Sequence, residues 1–120
     1  KMMRYDGVNQ THMLPIPAVV CGTKSLTMKS DIDARRREMI AARAMTYDHL
    51  QKKGISFIPS DANMFVIDWK RPAGPIQDAF LKENIIIGRS WPIWPNASRI
   101  TVGSMSEMKK FCAALDRIIG

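Results

Sequence analysis

Residues 55–69 read ISFIPSDANMFVIDW. Two short runs, residues 55–58 and 63–69, are rich in the β-branched and aromatic side chains that suit a pleated, half-buried surface. Between them stand Pro59, Ser60 and Asp61, a cluster with turn chemistry. The stretch therefore predicts two strands joined by a short turn.

Upstream, Ile32, Met39, Ile40, Tyr47 and Leu50 recur at helical spacing, with Ser30 and Asp33 as a capping-box signature and Gly54 as the stop. Residues 1–30 show no sustained period. Residues 14–22 read as an extended apolar strip interrupted by Pro15 and Pro17, expected to pack on a surface outside the segment. Downstream, Pro75 suits a first helical turn, and Ile76, Ala79 and Phe80 give a short amphipathic helix ending near Asn84. Residues 85–88 are apolar and strand-like, and residues 99–102 alternate polar with apolar before Gly103. A proline-tryptophan loop lies between them. Ser104 with Glu107 makes a second capping box, after which Met105, Met108, Phe111, Cys112, Leu115, Ile118 and Ile119 trace one broad stripe. Helix, strand, strand, helix, strand, strand, helix predicts an α+β fold (an α/β layer arrangement), a small sheet of about four strands covered by helices.

The chain has 120 residues, 46% hydrophobic and 24% charged, which suits one soluble globular domain and excludes disorder or a collagen-like repeat. No run is long enough to span a bilayer, and no membrane partner is expected. The net charge of +7 raises nucleic acid as a partner. Clustering is the criterion, and the one basic run, Arg35, Arg36 and Arg37, sits beside Asp31, Asp33 and Glu38 as a solvated helix face does. No nucleic-acid partner is expected. Cys21 and Cys112 match neither zinc nor redox spacing and read as buried thiols. His12 and His49 are isolated, and no metal site is expected.

Chemistry-bearing residues are few. Arg99 alternates with Ile100 and Val102, so its side chain points away from the face those two bury. A guanidinium on a strand presents a planar fork able to grip a carboxylate, although spacing alone fits a structural ion pair as well. Arg89 ends a strand-like run near Trp91 and Trp94, where it can stack on indole or meet an anion. Asn63 opens a strand after a turn, where its amide caps backbone groups or binds a ligand. No catalytic nucleophile and base pair is legible, and no Rossmann or Walker loop is present.

The ordered set ISFIPSDANMFVIDW, NIIIGRSWPIWP and SRITVGSMSEMKKFCAALDRII resembles the end of class I/II aminotransferases, especially histidinol-phosphate aminotransferase-like proteins. The resemblance runs from about residue 14 to residue 120. It implies that residues 31–120 form the small C-terminal domain and that residues 1–30 belong to the large-domain side. It further implies that Arg99, before the ITVG-like stretch, binds the substrate α-carboxylate. Asn63 belongs to a PS-x-x-N-F-like element, here with Met64 in place of Phe. Arg89 matches the arginine that meets a distal phosphate, although GRSWPIWP departs from the usual loop. The family's imine lysine lies in a motif resembling S-K-x-x-x-x-A-G-x-R, which the residues following Lys1 do not match. The expectation is a fragment of a larger enzyme, inactive alone, with pyridoxal phosphate in the full-length protein and none on this chain. Implied partners are an amino acid or keto acid substrate, the large domain and a second copy in a homodimer. Cytoplasm is the default location. An independent basic module for nucleic acid or an anion, or a non-catalytic relic domain, stands as the alternative.

Overall fold

The computed structural model describes residues 15–120, which divide into two compact units, one ending at Arg35 and the other beginning at Arg36. Seven elements follow in chain order: α1 (Ile16–Thr27), α2 (Lys29–Lys52), β1 (Ser56–Ile58), β2 (Met64–Asp68), α3 (Ala73–Lys82), β3 (Ala97–Thr101) and α4 (Met105–Ile119).

In the first unit the expected extended strip is a helix. Pro15 is the N-cap of α1 and Pro17 lies in its first turn. There a missing N–H costs nothing and φ is already helical, so the prolines start this helix instead of breaking it. Cys21, expected to be buried, is exposed on α1. α2 begins at Lys29, so Ser30 lies inside its first turn and not at its cap.

The second unit is a three-stranded antiparallel sheet in the order β1-β2-β3. β1 pairs with β2 through Phe57 opposite Ile67, and β2 with β3 through Phe65 opposite Ile100 and Val66 opposite Arg99. Alternation sends Phe65, Ile67, Ser98 and Ile100 to one face, where all four are buried. Against that face pack Ala42 and Leu50 of α2, Ile76 and Phe80 of α3, and Met108, Phe111 and Leu115 of α4. Phe80 stacks on Phe111 with ring centroids 5.2 Å apart, and Tyr47 meets the edge of Phe65 at 5.1 Å. In α2 the buried positions are Ala42, Thr46 and Leu50, while Ile32 and Ile40 are exposed. The fold is α+β, as expected.

The expected fourth strand is not formed. Residues 85–88 and Arg89 run beside the outer edge of β3 but exchange only two backbone hydrogen bonds with it: Gly88 N–H to the Arg99 carbonyl at 3.0 Å, and Arg99 N–H to the Arg89 carbonyl at 3.0 Å. Two consecutive residues facing one is the arrangement of a β-bulge, which interrupts a ladder.

Three helix ends are capped by local hydrogen bonds. After α2, Gly54 takes φ +67°, its N–H bonds the Gln51 carbonyl, and Ile55 N–H reaches back to Leu50. Asn84 repeats the pattern after α3 at φ +58°, with bonds from Asn84 to Leu81 and from Ile85 to Phe80. Both are left-handed caps that satisfy the last carbonyls. At α4 the capping box is complete: Ser104 Oγ accepts from Glu107 N–H at 3.3 Å, and Ser104 N–H donates to Glu107 Oε2 at 2.7 Å.

A β-carbon at Gly54 meets no atom within 4 Å, so the Gly54→Ala substitution tests the backbone alone. It is expected to lower stability by about 1–2 kcal/mol, the cost of a left-handed residue with a side chain, in urea unfolding. A second expectation concerns acid. The Lys53 ammonium, with His49, holds Asp116 below the usual carboxylate range. Arg117 does the same for Glu83, Lys70 for Asp68 and the Ser104 N–H for Glu107. Depressed folded values mean that the unfolded chain binds more protons, so this stabilisation is complete above about pH 4–5 and is lost as pH falls through the lowered values. Thermal melts between pH 6 and pH 2.5 should show that decline, shallower in Asp116→Asn than in the parent.

Candidate functional site

The face of the sheet turned away from the helices carries Ile58, Met64, Val66, Asp68, Ala97, Arg99 and Thr101, placed there by the same alternation that buries their neighbours. Arg99 stands in the middle of β3, opposite Val66. Its side chain is half-buried, and its Nε is enclosed without a hydrogen-bond partner. Among the described residues it forms no ion pair, so the structural salt bridge that spacing also allowed is absent. A buried donor of this kind costs free energy until an acceptor meets it.

Arg89 is exposed, with no ion pair and no cation–π contact among the described residues. Its backbone carbonyl takes the Arg99 N–H, which puts the two arginines one cross-strand step apart. The loop that follows is tied back to the sheet. Trp94 O accepts from Ala97 N–H at 3.1 Å and Asn96 O from Trp69 N–H at 2.9 Å, while Trp91 and Trp94 pack edge to face. Ile93, Trp94 and Pro95 roof a cavity of about 270 Å³ over Ile58, Val66 and Ala97.

Asn63 sits at the far end of the ladder, its carbonyl accepting from Val102 N–H at 2.8 Å. Its exposed side chain makes no hydrogen bond among the described residues, and the capping expected of it falls to Ser60, whose Oγ accepts from Ala62 N–H at 3.0 Å. α2 holds this turn. Tyr47 Oη accepts from Ser60 N–H and donates to its carbonyl, and Arg43 donates to the Ala62 carbonyl at 2.8 Å. The structure thus joins Arg99 and Arg89 and leaves Asn63 apart from them.

Two positioning residues carry no sequence motif. Gln77 on α3 donates through Nε2 to the Gly88 carbonyl at 3.0 Å and to Ser98 Oγ at 3.2 Å, so one amide satisfies a fully buried hydroxyl and pins the segment bearing Arg89. Gly88 is the other. A β-carbon there would lie 2.9 Å from the Arg99 carbonyl oxygen and 3.8 Å from Arg99 Nε, so only glycine lets the segment come this close. The pattern of Ile76, Ala79 and Phe80 marks the apolar face of this helix and not the amide.

Other reactive groups are accounted for elsewhere. Burial pushes the Cys112 thiol up to about 11, which removes it as a nucleophile near neutral pH. His49 Nε2 lies 2.9 Å from Asp116 Oδ1, a hydrogen bond between α2 and α4. His12 lies outside the described residues. No cluster of three metal-ligating side chains occurs among the described residues, and none of their helices is long and apolar enough to cross a membrane.

The sequence profile of the family described as "Aminotransferase class I and II" matches residues 4–115, nearly the whole chain. The chain belongs to the class I and II aminotransferases. Histidinol-phosphate aminotransferase 2 of Haemophilus influenzae is 41% identical over 76 residues, covering 60% of this chain and 20% of that protein. Histidinol-phosphate aminotransferase 2 of Methylococcus capsulatus is 37% identical over 83 residues, covering 66% and 22%. The chain therefore spans about a fifth of the length of these curated relatives. The fold agrees as well. A histidinol-phosphate aminotransferase from Sinorhizobium meliloti, solved in complex with pyridoxal-5'-phosphate, superimposes with a TM-score of 0.78 over 98% of this chain and 33% of its own, at 17% identity.

The S-K-x-x-x-x-A-G-x-R motif that would carry the imine lysine has no match in the 120 residues. The orphaned donor at the site, Arg99 Nε, is an acceptor-seeking cation suited to a carboxylate. Gln77 bonds the Ser98 hydroxyl beside Arg99 and the Gly88 carbonyl of the segment paired with it. Replacing Gln77 with Leu leaves the Ser98 hydroxyl and the Gly88 carbonyl unpaired and should cost about 1–3 kcal/mol in chemical unfolding, with faster amide exchange at Gly88 and Arg99.

Proposed function

We propose that this chain is the substrate-carboxylate-binding, small-domain part of a pyridoxal-phosphate-dependent aminotransferase that moves an amino group between an amino acid or amino-phosphate and a 2-oxo acid. One observation carries the reading: the Nε of Arg99, enclosed yet unpaired, on the helix-free face of the sheet. A protein seldom leaves a buried cation donor without an acceptor unless a ligand supplies one. In this reading residues 31–120 are the small domain and residues 1–30 belong to the large-domain side. The cofactor and its lysine are carried by the remainder of a longer protein, which acts as a homodimer. Arg99 receives the α-carboxylate in two charge-assisted hydrogen bonds, and holding the acid end fixes where the reacting carbon lies.

Arg89 is the second anchor, for an anionic group at the far end of the substrate. The relatives named histidinol-phosphate aminotransferases support an amino-phosphate there. Asn63 contributes from the end of the β2–β3 ladder. The exposed Trp91–Trp94 loop shapes the wall nearest Arg89.

The test is made on the longer protein encoded by the same gene, with the upstream lysine motif read from its coding sequence. Arg99→Lys keeps the charge but loses the fork, and should raise KM for the amino donor about 10- to 100-fold, the equivalent of about 1.5–3 kcal/mol for a charge-assisted hydrogen bond. An unchanged KM in that variant, or a gene without the lysine motif, would overturn the reading.

A further inference from the structure

We propose that the cavity beneath Ile93, Trp94 and Pro95 is a side-chain pocket for an aromatic 2-amino or 2-oxo acid whose carboxylate is held by Arg99. On the reading of Arg99 as the carboxylate holder, this pocket gives the class of one of the two substrates that an amino transfer requires.

The floor of the cavity is Ile58, Val66 and Ala97, on the same helix-free face as Arg99. Val66 is the cross-strand partner of Arg99, and Ala97 precedes it by two residues in β3. Neighbours of these two kinds stand about 5–7 Å apart between β-carbons. With bonds of about 1.5 Å, an aromatic amino acid spans about 6–7 Å from its carboxylate to the far edge of its ring. One small molecule therefore reaches both places.

The chain builds the enclosure itself. By alternation Ala97 belongs to the open face, yet it is only 7% exposed, because the loop closes over it. That roof is tied down on both sides of Pro95 by the Trp94 and Asn96 carbonyls, and Pro95 O accepts from Ala73 N–H at 2.9 Å. Trp91 meets the edge of Trp94 with centroids 6.0 Å apart, which steadies the indole. The result is a preformed concavity and not a flat apolar patch. Its volume of about 270 Å³ exceeds the roughly 150 Å³ of an apolar cavity that holds benzene.

Charge decides what enters. On the rim only Asp68 is charged, and Lys70 engages its carboxylate through Nζ at 2.6 Å and through its backbone N–H at 3.0 Å. No cation among the described residues lines the cavity, so a distal carboxylate or phosphate placed there would lie near Asp68 with nothing to hold it. An anionic end goes instead to Arg89, on the other side of Arg99 at the outer edge of β3. The two kinds of substrate end thus have separate places beside one carboxylate holder. The roof is also where this chain differs: GRSWPIWP is the loop that departs from the pattern of the aminotransferases it resembles.

Phenylalanine and alanine, compared as amino donors of the longer protein, test the pocket. Burial of the ring should make kcat/KM for phenylalanine about 10- to 100-fold higher than for alanine. Trp94→Ala, which opens the roof, and Ala97→Leu, which fills the floor, should each cut that preference about 10-fold or more. Arg99→Lys should raise KM for both donors alike. If it does so while the two cavity variants leave the preference intact, the pocket is wrong and the carboxylate reading stands. If KM for neither donor moves in Arg99→Lys, both readings fall. A readout without turnover keeps the test independent of damaged folding. In this chain 3-phenylpropanoate should shift the Trp94 indole N–H resonance saturably, propanoate should not, and Ala97→Leu should abolish the shift. A Trp94 resonance that ignores 3-phenylpropanoate, or moves equally with propanoate, overturns the pocket.

Discussion

The register that sets Val66 opposite Arg99 is the constraint from which the remaining arrangement follows. A sheet has only two faces, and a slip of one residue would exchange them, driving a guanidinium into the space that Phe65 and Ile100 fill. The register is held by the cost of that exchange. Phe65, Ile67 and Ile100 are each nearly or wholly enclosed by α2, α3 and α4, and burial of such side chains is worth about 1.5–3 kcal/mol apiece. Arg99 is thus displayed by the hydrophobic effect acting on its neighbours. No interaction of its own side chain is needed to hold it there.

The same logic explains why the core accepts two polar groups. Ser98 faces the helices by register and has no exposure, so its hydroxyl needs a partner from above. Gln77 supplies it, and with its second amide hydrogen catches the Gly88 carbonyl. One side chain on α3 therefore links the interior of the sheet to the segment that carries Arg89. Thr46 solves its burial locally, bonding the Ala42 carbonyl one turn back at 2.8 Å. The difference matters for the site: the Thr46 bond stays within its helix, whereas the Gln77 bonds transmit the position of α3 to the arginine pair.

Much of this was legible in the sequence where a local rule sufficed. Pro59 to Asp61 marked the turn between β1 and β2, Gly54 the end of α2, and Ser104 with Glu107 the start of α4, because each signal is read within a few residues. Arg99 was placed on the open face by simple alternation. The misreadings have physical causes of the opposite kind. Pro15 and Pro17 suggested a broken strip, but at the head of a helix the same ring is favourable, and only the residues that follow tell the two apart. In α2 the large apolar residues Ile32 and Ile40 drew the expected stripe but are exposed, whereas the small Ala42 and Thr46 are fully buried. Gln77 was invisible because an amide on a half-buried helix face looks like any solvated polar residue until its two acceptors are in place.

The fourth strand shows where composition and local geometry disagree. Three isoleucines in succession favour pairing with β3, and their β propensity alone predicts a completed edge. Propensity is a preference of about 1 kcal/mol across its whole range, so a bulge that interrupts the ladder can outweigh it. The outcome also depends on close packing at Gly88, where no side chain fits against the Arg99 carbonyl, and on the cap at Asn84 that sets the direction in which the segment leaves α3. Each of these terms is small. The sheet core, by contrast, is fixed by several enclosed aromatic and aliphatic side chains. At the outer edge of β3, pairing with the preceding segment is confined to Arg99 among the described residues, and small local terms decide the geometry there.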